Sequence, residues 1–325
     1  MTVFRELFLH VGHNFTASPL LQSSLEQSRS ILAEQGVHYQ VGNVMIPIAF
    51  EGKKTNGISQ DNQHKKTLAL DLPSNGSCDR LLLSDDALFN MLATDPRQLY
   101  LNLLREKFED GNIQVFLCIR DPLDHAIAVY DHLVKRGGYY GAFSSFLERY
   151  NTPALVHKVL DQLLNFGANV SVVNQSRHNN GVLSQLNSWL GLAPGELTNS
   201  APDLEDRRLT PAELEIQKLF NRRFGRAAAR FVSVPLCKEL PMLQPSVPHL
   251  SSEKLVAFLD RSREMCNNAM SLGVIPESEA WYVPSDLDAA RFFTLSSEEG
   301  EFELSQEQIN VLARTVSSRI RRGML

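Results

Sequence analysis

The chain has 325 residues, 43% of them hydrophobic and 21% charged, a balance that places it among ordinary globular proteins and excludes disordered and fibrous classes. Its length suits one large α/β domain or two modest ones. A formal net charge of -5 excludes a surface built to coat nucleic acid, which needs a clear excess of Lys and Arg, so any anion site must be local.

Cys78, Cys118, Cys237 and Cys266 show no CxxC spacing, so neither a zinc site nor a disulfide framework is signalled, and they read as reduced thiols. The opening MTVFRELFLHVG makes a poor signal peptide, and no apolar stretch approaches the ~20 residues that cross a bilayer. A cytoplasmic protein without a membrane span is expected.

In chain order, ELFLHV (residues 6–11) reads as a buried strand. Leu20, Leu21, Leu25, Ile31 and Leu32 then recur at helical spacing from Ser18 to Gln35, Gly36 is the stop, and GVHYQ resumes extended structure. Residues 42–77, rich in Asn, Gly, Lys and His, read as a long loop with one short helix around 64–72, and loops of this length serve as lids or binding loops. Arg80–Leu83 is a strand, and the Ser84 that ends it is placed to cap a helix opening on Asp85 and Asp86. LNLLREKFED is helical. NIQVFLCIRDP is the strongest strand, an apolar, β-branched run of the kind found in mid-sheet, closed by Pro122.

Next come a helix over LDHAIAVYDHLVKRGG stopped by Gly137 and Gly138, a helix over ALVHKVLDQLLNFG, a strand ANVSVVNQ and a helix GVLSQLNSWLGL. Beyond about Ala201 the pattern is helical, with Thr210–Phe220, Ser251–Ser271 and a last helix opening on a capping box at Ser305. The alternation predicts an α/β fold with a mostly parallel central sheet covered on both faces and a helical C-terminal portion, its ligand at the carboxyl ends of the strands. The division expected is an α/β domain over 1–240 and a helical extension over 241–325 packed on it.

The turn after the first strand carries the chemistry. Backbone N–H groups at a helix start converge on an anion, and the hydroxyls of Thr16 and Ser18 suit that role, although the same side chains would equally cap the helix. His10, Val11, Gly12, His13, Asn14, Phe15, Thr16, Ala17, Ser18, Pro19, Leu20, Leu21 and Gln22 resemble the HxGxxKTGTxxxQ-like turn of bacterial members of the PAPS-dependent sulfotransferase family.

That resemblance implies a P-loop-like three-layer fold whose turn, formed here by Gly12, Asn14, Phe15, Thr16, Ala17 and Ser18, wraps the 5′-phosphosulfate of PAPS (3′-phosphoadenosine 5′-phosphosulfate). Phe15 stands where the family has Lys, and Ala17 where it has Gly. FLCIRDPLDHAIAVYDHLVK resembles the family's 3′-phosphate element: Arg120 matches its Arg, and Ala128 stands in place of its Ser. An ion pair of Arg120 with Asp121 or Asp124 is the alternative use of that guanidinium. LLLSDDAL, DNQHKKTLAL and LNSWLGL followed by LEDRRLTPAELEIQKLFNRRFG continue the resemblance in order.

The activity implied is transfer of a sulfuryl group from PAPS, without a metal, to a hydroxyl of a saccharide or small-metabolite acceptor. Such a reaction passes through a loose anionic transition state in which cations carry much of the catalysis. The cation lost at Phe15 has possible replacements in Lys53, Lys54, Lys65, Lys66, Lys135 and Arg136. Asp86 and His64, then His13, are the candidate general bases, while Asp85 and Asp86 also suit a helical first turn on dipole grounds. Because three donor-contacting positions differ from the family, a catalytically inactive binding or scaffolding protein on the same fold is the alternative. A transferase whose different anionic donor stacks its base on Phe15 is a third reading.

Overall fold

The computed structural model describes residues 4–39, 58–60, 68–70, 78–85, 88–94, 101–102, 104–105, 108, 112–178, 181–197, 207–228, 230–243, 248, 250–285, 288 and 303–321. Five strands, β1 (Glu6–Val11), β2 (Val37–Tyr39), β5 (Arg80–Asp85), β6 (Asn112–Ile119) and β7 (Asn169–Asn174), form an all-parallel sheet in the order β2-β5-β1-β6-β7. Leu9 is paired with Leu83 on one side and Val115 on the other, and Ile119 with Asn174. β3 (Ile58–Gln60) and β4 (Leu68–Leu70) make a separate antiparallel pair.

Side chains alternate across a strand, so a run apolar on both faces is buried on both. Leu7, Leu9, Val11, Val115, Leu117 and Ile119 share one core cluster with Leu88 and Leu92 of the helix Leu88–Thr94 and with Val156, Val159 and Leu163 of the helix Thr152–Phe166. Phe8, Leu82, Phe116, Cys118 and Val173 share the opposite cluster with Leu21 and Leu25 of the helix Ser18–Gln27 and with Leu186 and Leu190 of the helix Val182–Leu190. The result is a three-layer α/β arrangement. Each fully buried Leu contributes about 1.5–3 kcal/mol of transfer free energy, and Leu7, Leu9, Leu81, Leu82, Leu83 and Leu117 of the strands are among them.

The sheet order also locates a crevice. From β1 the chain travels to β2 on one side, and from β6 to β7 on the other, so the strand order reverses between the neighbours β1 and β6. Ligands of open α/β sheets sit at the carboxyl ends of strands at such a reversal. Val11 and Ile119, the last residues of those two strands, lead directly into the turn after Gly12 and into Arg120.

By compactness the chain divides into two interleaved units: 1–121, 151–202 and 264–282 form the first, and 122–150, 203–263 and 283–325 the second. The first holds the sheet. The second has its own core, in which Leu123, Ile127, Tyr130, Phe143, Leu214, Phe258 and Leu259 are buried together. Within it, Arg207 forks onto Glu213 at 2.7 and 2.8 Å, and Gln308 of the helix Gln306–Arg321 donates to the same carboxylate at 2.8 Å. Thr210 and Glu213 form a capping box, as do Ser305 and Gln308.

Three local expectations are corrected. The helix expected around 64–72 is not formed at Leu68–Leu70, which is a strand paired with Ile58–Gln60; a short apolar run has no helical period of its own and takes the backbone partner that tertiary structure offers. Ser84 caps no helix, because β5 continues through Asp85 and the Ser84 hydroxyl is bound to His10 Nδ1 at 2.7 Å. The helix expected over 18–35 breaks at Ser28 into Ser18–Gln27 and Arg29–Glu34.

Candidate functional site

Gly12 leaves β1 with its N–H bound to the carbonyl of Asp85 at 2.9 Å, which ties the start of the turn to the neighbouring strand. The chain then folds around the carbonyl of His13. That oxygen accepts from the Thr16 amide at 3.2 Å, the Thr16 hydroxyl at 2.5 Å and the Ser18 hydroxyl at 3.5 Å. The two hydroxyls expected to reach a ligand are therefore spent on closing the turn. Phe15 and Ala17 both take left-handed backbone angles, φ 65° and 61°, on either side of Thr16.

Left-handed geometry costs a side-chain-bearing residue roughly 1–2 kcal/mol, and such strain concentrates where function needs a particular backbone. Ala17 keeps the conformation that glycine would adopt with least strain. Alternation of this kind turns successive N–H groups to one side, a concave arrangement suited to an anion, and the helix Ser18–Gln27 starts there with Pro19 in its first turn.

Arg120 comes to the same place. Its guanidinium makes a long contact from Nη1 to the Phe15 carbonyl at 3.5 Å and has no carboxylate partner among the described residues. Asp121, the first alternative partner, accepts at Oδ1 from Asn174 Nδ2 and from the Tyr282 amide, each at 2.9 Å. His13 is 4% exposed, its ring edge-on to Phe89 at 4.3 Å between centroids. Asn14 is exposed, and Phe15 and Ala17 are half-buried.

Ala128 lies half-buried in the helix Pro122–His132, in the second unit. Lys135 is 5% exposed, donates to the Arg207 carbonyl at 2.8 Å and lies 3.5 Å from Asp131, so its charge is committed within its own unit. Burial holds the Asp131 carboxyl above its ordinary range, with Lys135 opposing that shift. His64, Asp86, Lys53, Lys54, Lys65 and Lys66 lie outside the described residues.

Beneath the turn, His10 is fully buried against Ser84, and burial lowers its pKa from 6.5 to about 4, so it is a neutral part of the sheet. All four cysteines are buried and unbridged, and burial pushes the thiols of Cys118 and Cys266 up, which removes them as nucleophiles.

Beside Arg120, sequence reasoning missed a second set of residues. Trp281 Nε1 donates to the Arg120 carbonyl at 3.1 Å, the Asp121 amide donates to Ser176 Oγ at 3.1 Å, and the Asn174 amide donates to Glu279 Oε2 at 2.7 Å. His178 Nε2 lies 2.7 Å from the same Glu279 carboxylate. Arg177 donates from Nε and Nη2 to the Ala280 carbonyl at 3.2 and 2.8 Å and lies over the Tyr282 ring at 5.9 Å. The available signal was NQSRH following the last strand, since the carboxyl end of every parallel strand borders the crevice.

These features define a three-layer α/β protein with an all-parallel sheet and a cationic, strained turn at its strand-order reversal. The chain matches no family model, and no curated protein or solved structure is significantly similar to it. Among the described residues, no helix is long and apolar enough to cross a membrane, and no three His, Cys, Asp or Glu side chains converge as a metal site would require.

Proposed function

We propose that this chain is a sulfotransferase-like protein that binds PAPS at the ends of β1 and β6 and transfers its sulfuryl group to a hydroxyl of a saccharide or small metabolite. The observation that carries the reading is the Arg120 guanidinium, without a carboxylate partner among the described residues, brought to the carbonyl of Phe15 in a turn with two left-handed residues. The remaining amides of the turn take the 5′ group, and Arg120 takes the 3′-phosphate. Transfer breaks the S–O bond to the nucleotide, forms one to the acceptor oxygen, and leaves 3′,5′-ADP. The acceptor proton goes to a general base, for which Asp86 or His64 is better suited than His13, whose buried ring is packed on Phe89.

Calorimetric titration with 3′,5′-ADP tests this. Micromolar binding abolished in Arg120→Ala is expected, and no heat with the unmodified chain overturns the proposal. Phe15→Lys should tighten binding by ~10-fold or more, since it restores a charged donor to an anion. A second reading, a binding protein that catalyses nothing, draws on Phe15 itself: loss of one well-placed donor of this kind costs ~10²–10³ in rate. Nucleotide binding without sulfuryl transfer to any saccharide offered would favour it.

A further inference from the structure

The net charge of -5 hides a local excess of the opposite sign in the second unit. Residues 216–238 carry Lys218, Arg222, Arg223, Arg226, Arg230 and Lys238 and no Asp or Glu. Arg222, Arg223 and Arg226 are exposed, and their guanidinium groups have no hydrogen-bond or carboxylate partner among the described residues. Cations in the last turn suit the dipole of the helix Pro211–Phe224, which accounts for Arg222 and Arg223 but not for Arg226 beyond it, nor for what stands beside all three.

Those neighbours are apolar. Leu219 is 64% exposed and shares a helical face with Arg222 and Arg223, and Phe224 is 51% exposed. The Phe224 ring lies 5.9 Å from that of Phe220, which stacks on Phe231 at 5.6 Å. A buried network fixes this end of the helix: Gln217 donates to Asn221 at 2.8 Å and accepts from the Ser233 amide at 3.0 Å, while Asn221 donates to the Val134 and Tyr139 carbonyls at 2.7 and 2.8 Å. Gly138 lies so close that a Cβ there would stand 2.8 Å from the Arg226 backbone, which brings Tyr140, 56% exposed, to the same end.

A fixed surface that sets unneutralised guanidinium groups among protruding apolar side chains matches an anionic bilayer, where cations meet the headgroups while aromatic and aliphatic side chains enter the interface. A polynucleotide, held by cations along its backbone and by stacking on aromatic faces, would leave Leu219 in water. We infer that this face of the second unit docks the protein, as a peripheral attachment, on a membrane surface rich in anionic lipid.

Co-sedimentation of the full chain with lipid vesicles tests this. Vesicles of phosphatidylcholine with about 30% phosphatidylserine should bind the protein at ~0.1 M salt and release it at ~0.5 M, and phosphatidylcholine alone should leave it in solution. Arg222→Ala, Arg223→Ala and Arg226→Ala together should weaken binding ~100-fold, since each cation near such a surface contributes about fivefold. Phe224→Ser should weaken it roughly 4–10-fold and leave the salt dependence unchanged, because it removes apolar burial and no charge. The replaced side chains are exposed, so the variants stay folded, which circular dichroism checks. No sedimentation with the anionic vesicles, or binding that survives the triple replacement, overturns the inference. So does binding of a single-stranded oligonucleotide that phosphatidylserine vesicles fail to displace, which would assign the face to nucleic acid.

Discussion

At the exit of β1 the bonds that shape the chain join residues three to five positions apart, Thr16 and Ser18 to His13. At the exits of β6 and β7 they join residues 53 to 161 positions apart, linking Asn174, Ser176, Glu279, Trp281 and Tyr282 to Arg120, Asp121 and one another. The first is a local device whose backbone is set by a few neighbouring residues, so its side chains can change while its shape persists, as Phe15 and Ala17 illustrate. The second exists only once the sheet has assembled, and each of its members is needed by several others.

That difference is broken most directly at Asn174, which is fully buried, donates to Asp121, and accepts at Oδ1 from the Ser176 amide at 3.0 Å. Asn174→Leu leaves a buried carboxylate and a backbone amide each short of a partner. A loss of about 3 kcal/mol in urea unfolding is expected, because unsatisfied buried groups cost ~1–3 kcal/mol apiece and more when charged. A loss under ~1 kcal/mol would mean that the exit of β6 is no more cooperative than the turn.

The next largest effect comes from His10, under the turn. Its folded pKa of about 4 lies below the unfolded 6.5, so the unfolded chain takes up the proton first as pH falls. Stability is therefore fully present above pH 6.5 and is lost between 6.5 and 4, at up to ~1.4 kcal/mol per pH unit. Between pH 7 and 5 this amounts to about 2 kcal/mol, read by urea unfolding at each pH. In His10→Asn, which keeps a polar partner for Ser84 and does not titrate, that part of the slope should vanish; an unchanged slope assigns the loss to other groups.

The same contrast explains what was legible in the sequence. Every strand of the parallel sheet could be read: ELFLHV, RLLL, NIQVFLCI and NVSVVN are apolar or β-branched runs bounded by turn residues, and GVHYQ resumes extended structure after a helix stop. The turn after Gly12 and the place of Arg120 could be read for the same reason: each lies immediately beyond such a run. Arg177, Glu279 and Trp281 could not, since nothing local in SRH or ESEAW states that these segments meet across a hundred positions. Ser84 was misread because a serine before two aspartates is locally a good cap, and only the register of β1 against β5 assigns its hydroxyl to His10.

Gln22 sharpens the comparison on the turn's own side. It is 1% exposed, one helical turn beyond Ser18, and neither atom of its amide has a protein partner among the described residues. Gln22→Met keeps the volume and removes the desolvated amide, so stability should rise by about 1 kcal/mol. A fall of similar size would assign the amide a bonded role in shaping the turn.

The smallest expected effect separates conformation from chemistry at the turn. Ala17 holds φ 61° at the residue preceding the helix Ser18–Gln27, and its carbonyl accepts from the Leu21 amide at 3.0 Å. A Cβ in that conformation is strained, whereas glycine adopts it freely, so Ala17→Gly relieves ~1 kcal/mol or more in the folded state. Glycine also has more freedom to lose on folding, which returns part of the gain. The net expectation is a stabilisation of about 0.5 kcal/mol, the reverse of the usual cost of replacing alanine by glycine beside a helix. Ala17→Val, β-branched at the same angle, should lower stability and weaken nucleotide binding together. If the glycine variant is instead destabilised by the ordinary ~0.5–1 kcal/mol, the turn is relaxed without a ligand, and its strain no longer argues for an anion site.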